Sequence, residues 1–314
     1  MQRDDDGFLS CRARYANGGV IGGRMANKLS EHEVIFWCRG ETLAAISANG
    51  LKLIDEGGEK IIRPSLATDR IEKVGQADVI VFATKNYQLD DAAVGITSAA
   101  GEKTVVIPLQ NGVSASSALK KHMPKSDVTS GCVYISAYTE APGVARQVGS
   151  VLRVIFGSRD KTREDNLKSY SAIEEAFKKC FDCTLTDNID TEVWSKFLFL
   201  SPFAGATTLF KRGIDGVLCD AKSEATVTEM IRELGALAAA KGISLPSDAF
   251  ELTLKKARAF APGTKTSMLV DYEKGARTEI ESLIGYVCRE SRSLNVPSPT
   301  YDSVYNELSA LCRT

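Results

Sequence analysis

The residue that most directly offers acid–base chemistry is a lysine inside an apolar segment. Residues 190–200 predict a buried helix, because apolar side chains face almost every direction and Asp190 can cap the first turn. Lys196 lies in the middle of this segment. Such a lysine either extends its ammonium group to the surface or points into a cleft, where it can donate a proton to a reacting group. Lys196 is therefore a candidate general acid, and a solvated amphipathic lysine is the alternative.

A glycine-rich stretch near the start of the chain has the composition of a phosphate-binding turn. In such turns the backbone N–H groups at a helix N-terminus bind the pyrophosphate of a dinucleotide. Gly19 would permit close approach of the backbone to phosphate, and Gly22 would permit close packing of the helix on a strand. Asparagine replaces the first glycine of the usual pattern and tolerates the same backbone conformation. The predicted turn consists of Asn17, Gly18, Gly19, Val20, Ile21 and Gly22.

Polar side chains follow three of the predicted strands. Arg39, Lys85 and Asn111 each come shortly after one of these strands. In a doubly wound sheet the carboxyl ends of parallel strands carry the ligand contacts, so these residues are candidates for a binding site. Arg39 stands where NAD-binding proteins carry an acidic residue, and an arginine favours the 2′-phosphate of NADP. The three strands are predicted at residues 33–37, 78–83 and 104–109.

The order of the predicted elements indicates two domains. The first half alternates short apolar strands with helices, including a helix at 163–179, whereas only helices follow residue 188. The fold class is therefore α/β, with a Rossmann-like doubly wound sheet at 1–187 and an all-helical domain at 188–314. Pro202 is expected to kink or break the first helix of the second domain. Further strands are predicted at 128–137 and 184–186, a hairpin at 144–156 across Gly149-Ser150, and helices at 221–241, 247–261, 279–294 and 300–312.

The segment ahead of the glycines does not have the pattern of a central strand. Such a strand should be continuously apolar, but Arg12 and Arg14 interrupt it, and burying an unpaired arginine is costly. We therefore expect an irregular first strand. One hypothesis is that residues 1–16 do not represent the native start, through a wrong start or a frame error, which sequencing of the locus would test. A non-catalytic nucleotide-binding protein is an alternative that this irregularity leaves open.

Composition excludes several classes of protein. The 314 residues are 44% hydrophobic and 25% charged with a net charge of −1, which argues against nucleic-acid and membrane-surface binding. No apolar run approaches the roughly 18 residues of a membrane span, and the start lacks the order of a signal peptide. The eight cysteines are scattered, as in proteins of a reducing compartment, so a cytoplasmic location is expected. Cys180 and Cys183 have metal-site spacing, but the two histidines do not group with them, so no metal site is predicted.

Taken together and in this order, the motifs resemble those of the ketopantoate reductase family, the 2-dehydropantoate 2-reductases, over about residues 17 to 312. The resemblance implies NADPH-dependent reduction of the ketone of 2-dehydropantoate to pantoate, in pantothenate and coenzyme A biosynthesis. It also implies a small 2-keto acid as substrate and, at the level of the family, a homodimer. The segments that carry it are Gly19-Val20-Ile21-Gly22-Gly23, Cys38-Arg39-Gly40, Thr84-Lys85-Asn86-Tyr87, Leu109-Gln110-Asn111-Gly112, Val193-Trp194-Ser195-Lys196, Thr266-Ser267-Met268-Leu269 and Arg277-Thr278-Glu279-Ile280.

The resemblance also implies roles for individual residues. Lys196 matches the catalytic lysine, which also contacts substrate, and Asn111 matches a residue that contacts both the nicotinamide ribose and substrate. Glu279 matches an acid that contacts cofactor or substrate, and Ser267 a serine that binds substrate. The cofactor-lining positions fall on Lys85 and Ala137, and the position that meets the 2′-phosphate falls on Arg39.

Each of these assignments has a structural alternative. Asn111-Gly112 could form only a turn, and Glu279 could be only the acidic start of a helix. Lys85 could be a solvated charge, and Ser267 could belong to a polar loop.

The sequence departs from the family pattern after the catalytic lysine. Many members carry asparagines one and two turns later that hold substrate hydroxyl groups, whereas Leu200 and Ala204 stand there in this chain. Neither side chain forms hydrogen bonds. A less hydroxylated 2-keto acid is therefore an alternative substrate, unless Ser201, Thr207 or Thr208 compensates.

Overall fold

A computed structural model of the chain describes the backbone of residues 8–12 and 16–18 and the complete residues 19–311. The chain divides into two compact units. The first contains the described residues up to Gln110 together with Ser114–Ile189, and the second contains Asn111–Val113 and the residues from Asp190 onward. The sequence predicts a boundary at residues 187 and 188. It does not predict that the three residues Asn111–Val113 belong to the helical unit.

The first unit contains all strands of the described residues and five α-helices. The strands are β1 (Phe8–Arg12), β2 (Glu33–Trp37), β3 (Leu51–Asp55), β4 (Gly58–Ile62), β5 (Leu66–Thr68), β6 (Val79–Phe82), β7 (Val105–Pro108), β8 (Asp127–Val128), β9 (Ser130–Ala141), β10 (Val144–Gly157) and β11 (Asp182–Leu185). The helices are α1 (Ala16–Lys28), α2 (Gly40–Asn49), α3 (Leu89–Ile96), α4 (Ala115–His122) and α5 (Arg163–Lys178).

A six-stranded parallel sheet confirms the predicted doubly wound architecture. Its strand order is β5-β2-β1-β6-β7-β8, so the direction of winding reverses between β1 and β6. In such sheets ligands bind beyond the carboxyl ends of the strands at this reversal. Arg39 and Lys85 both follow strands at that edge, after β2 and β6 respectively.

The expectation of an irregular first strand is wrong for the backbone of residues 8–12. β1 occupies the central position, with Phe8 paired to Glu33 of β2 and Arg12 paired to Phe82 of β6. The two arginine side chains disfavour a buried strand, whereas strand pairing uses backbone groups that every residue except proline supplies in full. Arg14 lies outside the described residues, and so does the predicted end of the last helix at Cys312.

The predicted hairpin across Gly149-Ser150 is also wrong, because β10 continues through these residues. A second sheet runs in the order β11-β10-β3-β4, and β9 pairs antiparallel with β10. The register shifts between Gln147 and Leu152, so residues 148–151 form a bulge. Gly149 has a φ of 70°, and the Gln147 side chain donates to the carbonyls of Gly149 (2.9 Å) and Val151 (3.3 Å). The glycine therefore serves a bulge instead of a turn.

Two hydrophobic cores hold the first unit together. One contains side chains of α1 and α5 together with both sheets, among them Met25, Phe156 and Phe177. The other packs α3 and α4 against the opposite face of the parallel sheet, through residues such as Trp37 and Phe82. Helix α1 contacts strands of both sheets and so packs between them.

Among the described residues of the second unit, every regular element is helical, as predicted for the C-terminal domain, and Asn111–Val113 form a bend. Its first helix runs through Pro202 without ending there, and Asp190 lies within its first turn instead of capping it. Buried side chains of this helix, such as Phe197, Phe203 and Ala206, pack into the hydrophobic core of the unit, and this packing maintains the helix despite the missing proline N–H. The helices are α6 (Ile189–Phe210), α7 (Ile214–Leu218), α8 (Ala221–Ala240), α9 (Ala249–Arg258), α10 (Ser267–Glu273), α11 (Tyr286–Ser293) and α12 (Pro299–Leu311), with a π-helical turn at Glu281–Gly285.

Within the described part of the chain, no helix combines the length and apolarity that a membrane crossing requires.

Candidate active site

A hydrogen bond between two predicted site residues lies at the centre of the helical unit's candidate site. Lys196 Nζ donates to Asn111 Oδ1 at 3.0 Å, although the residues are 85 positions apart. Lys196 lies on α6 between the buried residues Trp194 and Phe197, and its own side chain is half-buried. A cation beside a half-buried amide can donate a proton to a neighbouring acceptor and stabilise negative charge there.

The segment that carries Asn111 lies beside the π-helical turn. Gly112 has a φ of 90°, a conformation that favours glycine. A Cβ at this position would lie 3.5 Å from Ser282 O and 3.8 Å from Leu283 Cδ2, in the π-helical turn. Asn111-Gly112 thus lies in a bend, from which the Asn111 side chain reaches Lys196.

Glu279 and Ser267 have different environments in the same unit. Glu279 is only 4% exposed and stands immediately before the helical residue Ile280. A carboxylate at this position is favoured by the helix dipole. Ser267 is exposed at the start of α10, which the neighbouring Thr266 caps by accepting a hydrogen bond from Leu269 N. The polar-loop alternative therefore does not describe Ser267, which is helical.

The hydroxyl groups that follow Lys196 on α6 are buried. Ser201 Oγ donates to Leu283 O at 2.9 Å and lies 2.8 Å from Tyr301 Oη. Thr207 Oγ1 donates to Phe203 O, and Thr208 Oγ1 is buried without a hydrogen-bond partner among the described residues.

The two positions at which many family members carry asparagine are apolar and packed. Ala204 is 1% exposed, and Leu200 is half-buried against the core of the unit. Leu200 and Ala204 have no polar side-chain atoms, and the hydroxyl hydrogens of Ser201 and Thr207 are already donated to backbone carbonyls.

Arg39, in the first unit, has the surroundings expected of an anion-binding residue. Its guanidinium lies 5.3 Å from the centre of the Trp37 ring, at the end of β2. Gly95 makes room for both, because a Cβ there would lie 2.3 Å from Trp37 Cη2 and 2.8 Å from Arg39 Nη2. No carboxylate pairs with Arg39 among the residues that the structure describes. A 2′-phosphate could therefore bind this guanidinium without displacing an existing ion pair.

The other predicted cofactor residues of the first unit lie on three different elements. Lys85 follows β6 and precedes a short 3-10 turn, and it is half-buried. Ala137 lies on β9, pairs with Gln147 and packs against the core between the sheets.

The glycine stretch is helical from the outset, because α1 begins at Ala16. Asn17 to Gly22 thus occupy its first turns instead of a preceding loop. A Cβ at Gly19 would lie 2.9 Å from Ala145 Cβ, so this glycine permits close packing of α1 on β10. The N–H groups that a helix leaves unpaired in its first turn remain suited to a pyrophosphate.

The cysteine pair does not belong to the candidate catalytic or cofactor residues. Both are free, buried thiols: Cys180 lies between α5 and β11, and Cys183 lies on β11. Burial raises the pKa of Cys180 to about 11 and that of Cys183 to about 12. Both are protonated and unreactive near neutral pH. Across the described ranges, no three His, Cys, Asp or Glu side chains group as metal ligands.

Tyr301 and the π-helical turn carry no motif or periodicity that would mark them in the sequence. Tyr301 lies on α12, is 0% exposed and contacts Ser201. A buried tyrosine needs a hydrogen-bond partner, but the sequence gives no sign of which one it has. The π-helical turn inserts one residue into an otherwise regular helical pattern, which periodicity does not reveal.

Two family profiles match this chain. Residues 17–161 match the profile described as "Ketopantoate reductase PanE/ApbA", and residues 188–311 match "Ketopantoate reductase PanE/ApbA C terminal".

Similar proteins cover almost the whole chain. A 2-dehydropantoate 2-reductase of Halobacterium salinarum is 30% identical over 294 residues, covering 90% of each chain. The uncharacterized oxidoreductase YkpB of Bacillus subtilis is 27% identical over 292 residues, covering 93% of this chain and 94% of its own. The crystal structure of 2-dehydropantoate 2-reductase from Porphyromonas gingivalis has a TM-score of 0.83 at 27% identity, covering 97% of this chain and 100% of that one.

Proposed function

Because this chain belongs to the ketopantoate reductase family of nicotinamide-dependent oxidoreductases, we propose that it reduces the ketone of 2-dehydropantoate to pantoate with NADPH. The observation that carries the proposal is the 3.0 Å hydrogen bond from Lys196 to Asn111 in the helical unit. It joins two residues that the family pattern assigns to the reacting centre.

Lys196 acts as the general acid. Hydride addition to a carbonyl carbon leaves negative charge on its oxygen, and a lysine ammonium can stabilise that charge and then donate a proton. Asn111 Oδ1 accepts a hydrogen bond from Lys196 and so fixes the direction of the ammonium group. The amide nitrogen of the same side chain is a donor, suited to a ribose or substrate oxygen.

NADPH, when bound, supplies the hydride. The residues present fit this cofactor, because Arg39 has no acidic partner in the described chain and can pair with a 2′-phosphate, while the first turn of α1 can hold the pyrophosphate. Lys85 and Ala137 are proposed to line the cofactor, and Glu279 to contact cofactor or substrate. Ser267 is proposed to bind substrate, which its exposure in the helical unit permits.

Steady-state oxidation of NADPH with ketopantoate tests this function directly. Robust turnover, abolished by Lys196→Ala with NADPH binding retained, would support it. Absence of turnover in folded protein that still binds NADPH would refute ketopantoate as the substrate. A place in pantothenate and coenzyme A biosynthesis would follow from rescue of a pantothenate-requiring strain.

A second candidate function is reduction of a less hydroxylated 2-keto acid. It is favoured by the apolar Leu200 and Ala204 and by the internal hydrogen bonds of Ser201 and Thr207. Ketopantoate and trimethylpyruvate differ by one hydroxyl group, so their kcat/KM values isolate its contribution. A bound hydroxyl is worth about 1 kcal/mol, or roughly fivefold. A preference for ketopantoate above that level would contradict the second candidate.

The family-level homodimer also remains a proposal for this chain. Light scattering coupled to size exclusion would measure its mass in solution, and a monomer at working concentration would contradict it.

A further inference from the structure

The π-helical turn Glu281–Gly285 adjoins three segments of the helical unit. They carry Lys196, Asn111 and Glu279, which are residues of the proposed site. Glu279 precedes it by two residues, and Ser282 O lies against Gly112, next to Asn111. Leu283 O accepts a hydrogen bond from Ser201, five residues after Lys196 on α6. Short π-helical turns inside α-helices are frequent at functional sites.

A chain of hydrogen bonds anchors this turn to three helices. A serine hydroxyl carries a single hydrogen. Because Ser201 donates that hydrogen to Leu283 O, the 2.8 Å contact to Tyr301 must have Tyr301 as donor. Tyr301 N in turn donates to Glu233 Oε2 at 3.0 Å, and Thr300 N donates to Glu233 Oε1 at 2.8 Å. The Glu233 carboxylate on α8 thus holds the start of α12, whose tyrosine orients Ser201.

Burial makes the loss of any bond in this chain costly. Ser201 and Tyr301 are both 0% exposed, so water cannot replace a lost partner. Packing around the chain is also tight, since a Cβ at Gly205 would lie 3.0 Å from Ile284 Cδ1 and 3.4 Å from Val304 Cγ1. The turn therefore has little freedom to shift without moving α6 or the Asn111 segment.

We infer that Ser201 and Tyr301 are positioning residues, which hold the π-helical turn so that Lys196, Asn111 and Glu279 keep their relative placement. The expected effect on kcat rests on the proposed function. The expected effect on the placement of the three side chains does not. Neither residue needs to touch substrate, because both act through Leu283 O and the backbone that it belongs to.

Ser201→Ala is the decisive variant, and Ser223→Ala is its matched control. Ser223 is also 0% exposed and donates to a backbone carbonyl, Val217 O, at the same 2.9 Å, but it lies at the start of α8. Both variants lose one buried hydroxyl by the same chemical change. Tyr301→Phe is a milder variant that keeps the Ser201–Leu283 bond, for the case in which Ser201→Ala does not fold.

The first readout does not depend on turnover. Crystal structures of Ser201→Ala and Tyr301→Phe should show the Lys196 Nζ–Asn111 Oδ1 contact lengthened or broken, with the contact intact in Ser223→Ala. An unchanged contact in both Ser201→Ala and Tyr301→Phe would overturn the inference. This readout decides the matter even if the chain proves inactive on ketopantoate, in which case only the proposed function fails.

The second readout separates positioning from general loss of stability. With NADPH and the best 2-keto acid, Ser201→Ala should lower kcat about tenfold or more, since small misplacements of reacting groups are costly. The KM for NADPH should change little, and Ser201→Thr, which keeps the hydroxyl, should recover part of kcat. Equal kcat values for Ser201→Ala and Ser223→Ala would refute a positioning role.

Discussion

Arg39→Ala should separate the two nicotinamide cofactors. The Arg39 guanidinium stacks on Trp37 and has no carboxylate partner in the described part of the chain, so a 2′-phosphate would gain a charge-assisted contact without breaking another. Hydrogen bonds to charged groups contribute about 1.5–3 kcal/mol. NADPH should therefore bind roughly 10- to 150-fold more weakly to the variant. NADH carries no 2′-phosphate, so its affinity should change little.

Direct titration of each cofactor, followed by nicotinamide fluorescence, measures both affinities without any substrate. Arg63→Ala is a suitable control, because Arg63 is also a cation of the first unit. It lies exposed just after β4, whereas Arg39 is half-buried. Arg39→Lys should give an intermediate NADPH affinity, since lysine keeps the charge but loses the planar pair of donors.

The salt dependence provides a further check. The affinity of the unaltered chain for NADPH should fall more steeply with ionic strength than that of Arg39→Ala, because one charge pair is missing from the variant. Equal losses of NADPH and NADH affinity in Arg39→Ala would refute the reasoning and would assign Arg39 a structural role at the end of β2.

Other perturbations test the remaining parts of the site. Lys196→Ala should lower kcat by about 10²- to 10⁴-fold with NADPH affinity retained, as measured by stopped-flow and titration, and loss of both would indicate misfolding instead. Asn111→Ala removes a hydrogen bond to a charged group, so kcat/KM should fall about 10- to 100-fold, and wild-type kinetics would contradict its role. In iodoacetamide at about pH 8, the exposed Cys219 should react before Cys180 and Cys183, whose pKa values burial raises; mass spectrometry showing the reverse order would contradict that burial. Burial raises the pKa of Cys180 from 9.0 to about 11, so the unfolded chain loses this proton at a lower pH than the folded chain. The free energy of unfolding should therefore fall as the pH rises from about 9 to about 11, and it should fall less steeply in Cys180→Ala.

Local patterns predicted the parallel sheet well. Strand β2 occupies the predicted residues 33–37, and α5 ends within one residue of its prediction. Both are runs with a single dominant period, bounded by polar or turn residues, so no competing structure had comparable support. The bulge in β10 was mispredicted because Gly149 suits a turn and a bulge equally, and the Gln147 side chain that satisfies the bulge carbonyls gives no sequence signal.

The candidate site was predictable residue by residue but not as an arrangement. Lys196 could be identified as an unusual cation within an apolar helix, and Asn111 as a polar residue beyond a strand. Their contact requires Asn111–Val113 to leave the sheet-containing unit and join the helices, which no local periodicity encodes. Tyr301 is a further example, because its partner Ser201 lies 100 positions away.

The environment of Ser201 connects substrate choice with the positioning of Lys196. Its single hydrogen is donated to Leu283 O, its oxygen accepts from Tyr301, and its 0% exposure closes the remaining lone pair to a substrate hydroxyl while these bonds persist. A positioning role and a compensating substrate contact are therefore mutually exclusive for this residue. Ser201→Ala distinguishes them when assayed with both ketopantoate and trimethylpyruvate. Equal proportional losses in kcat/KM indicate positioning, because the reacting centre is common to both substrates. A loss confined to ketopantoate would show that Ser201 turns towards the substrate hydroxyl, and the buried hydrogen-bond chain would then have to open during turnover.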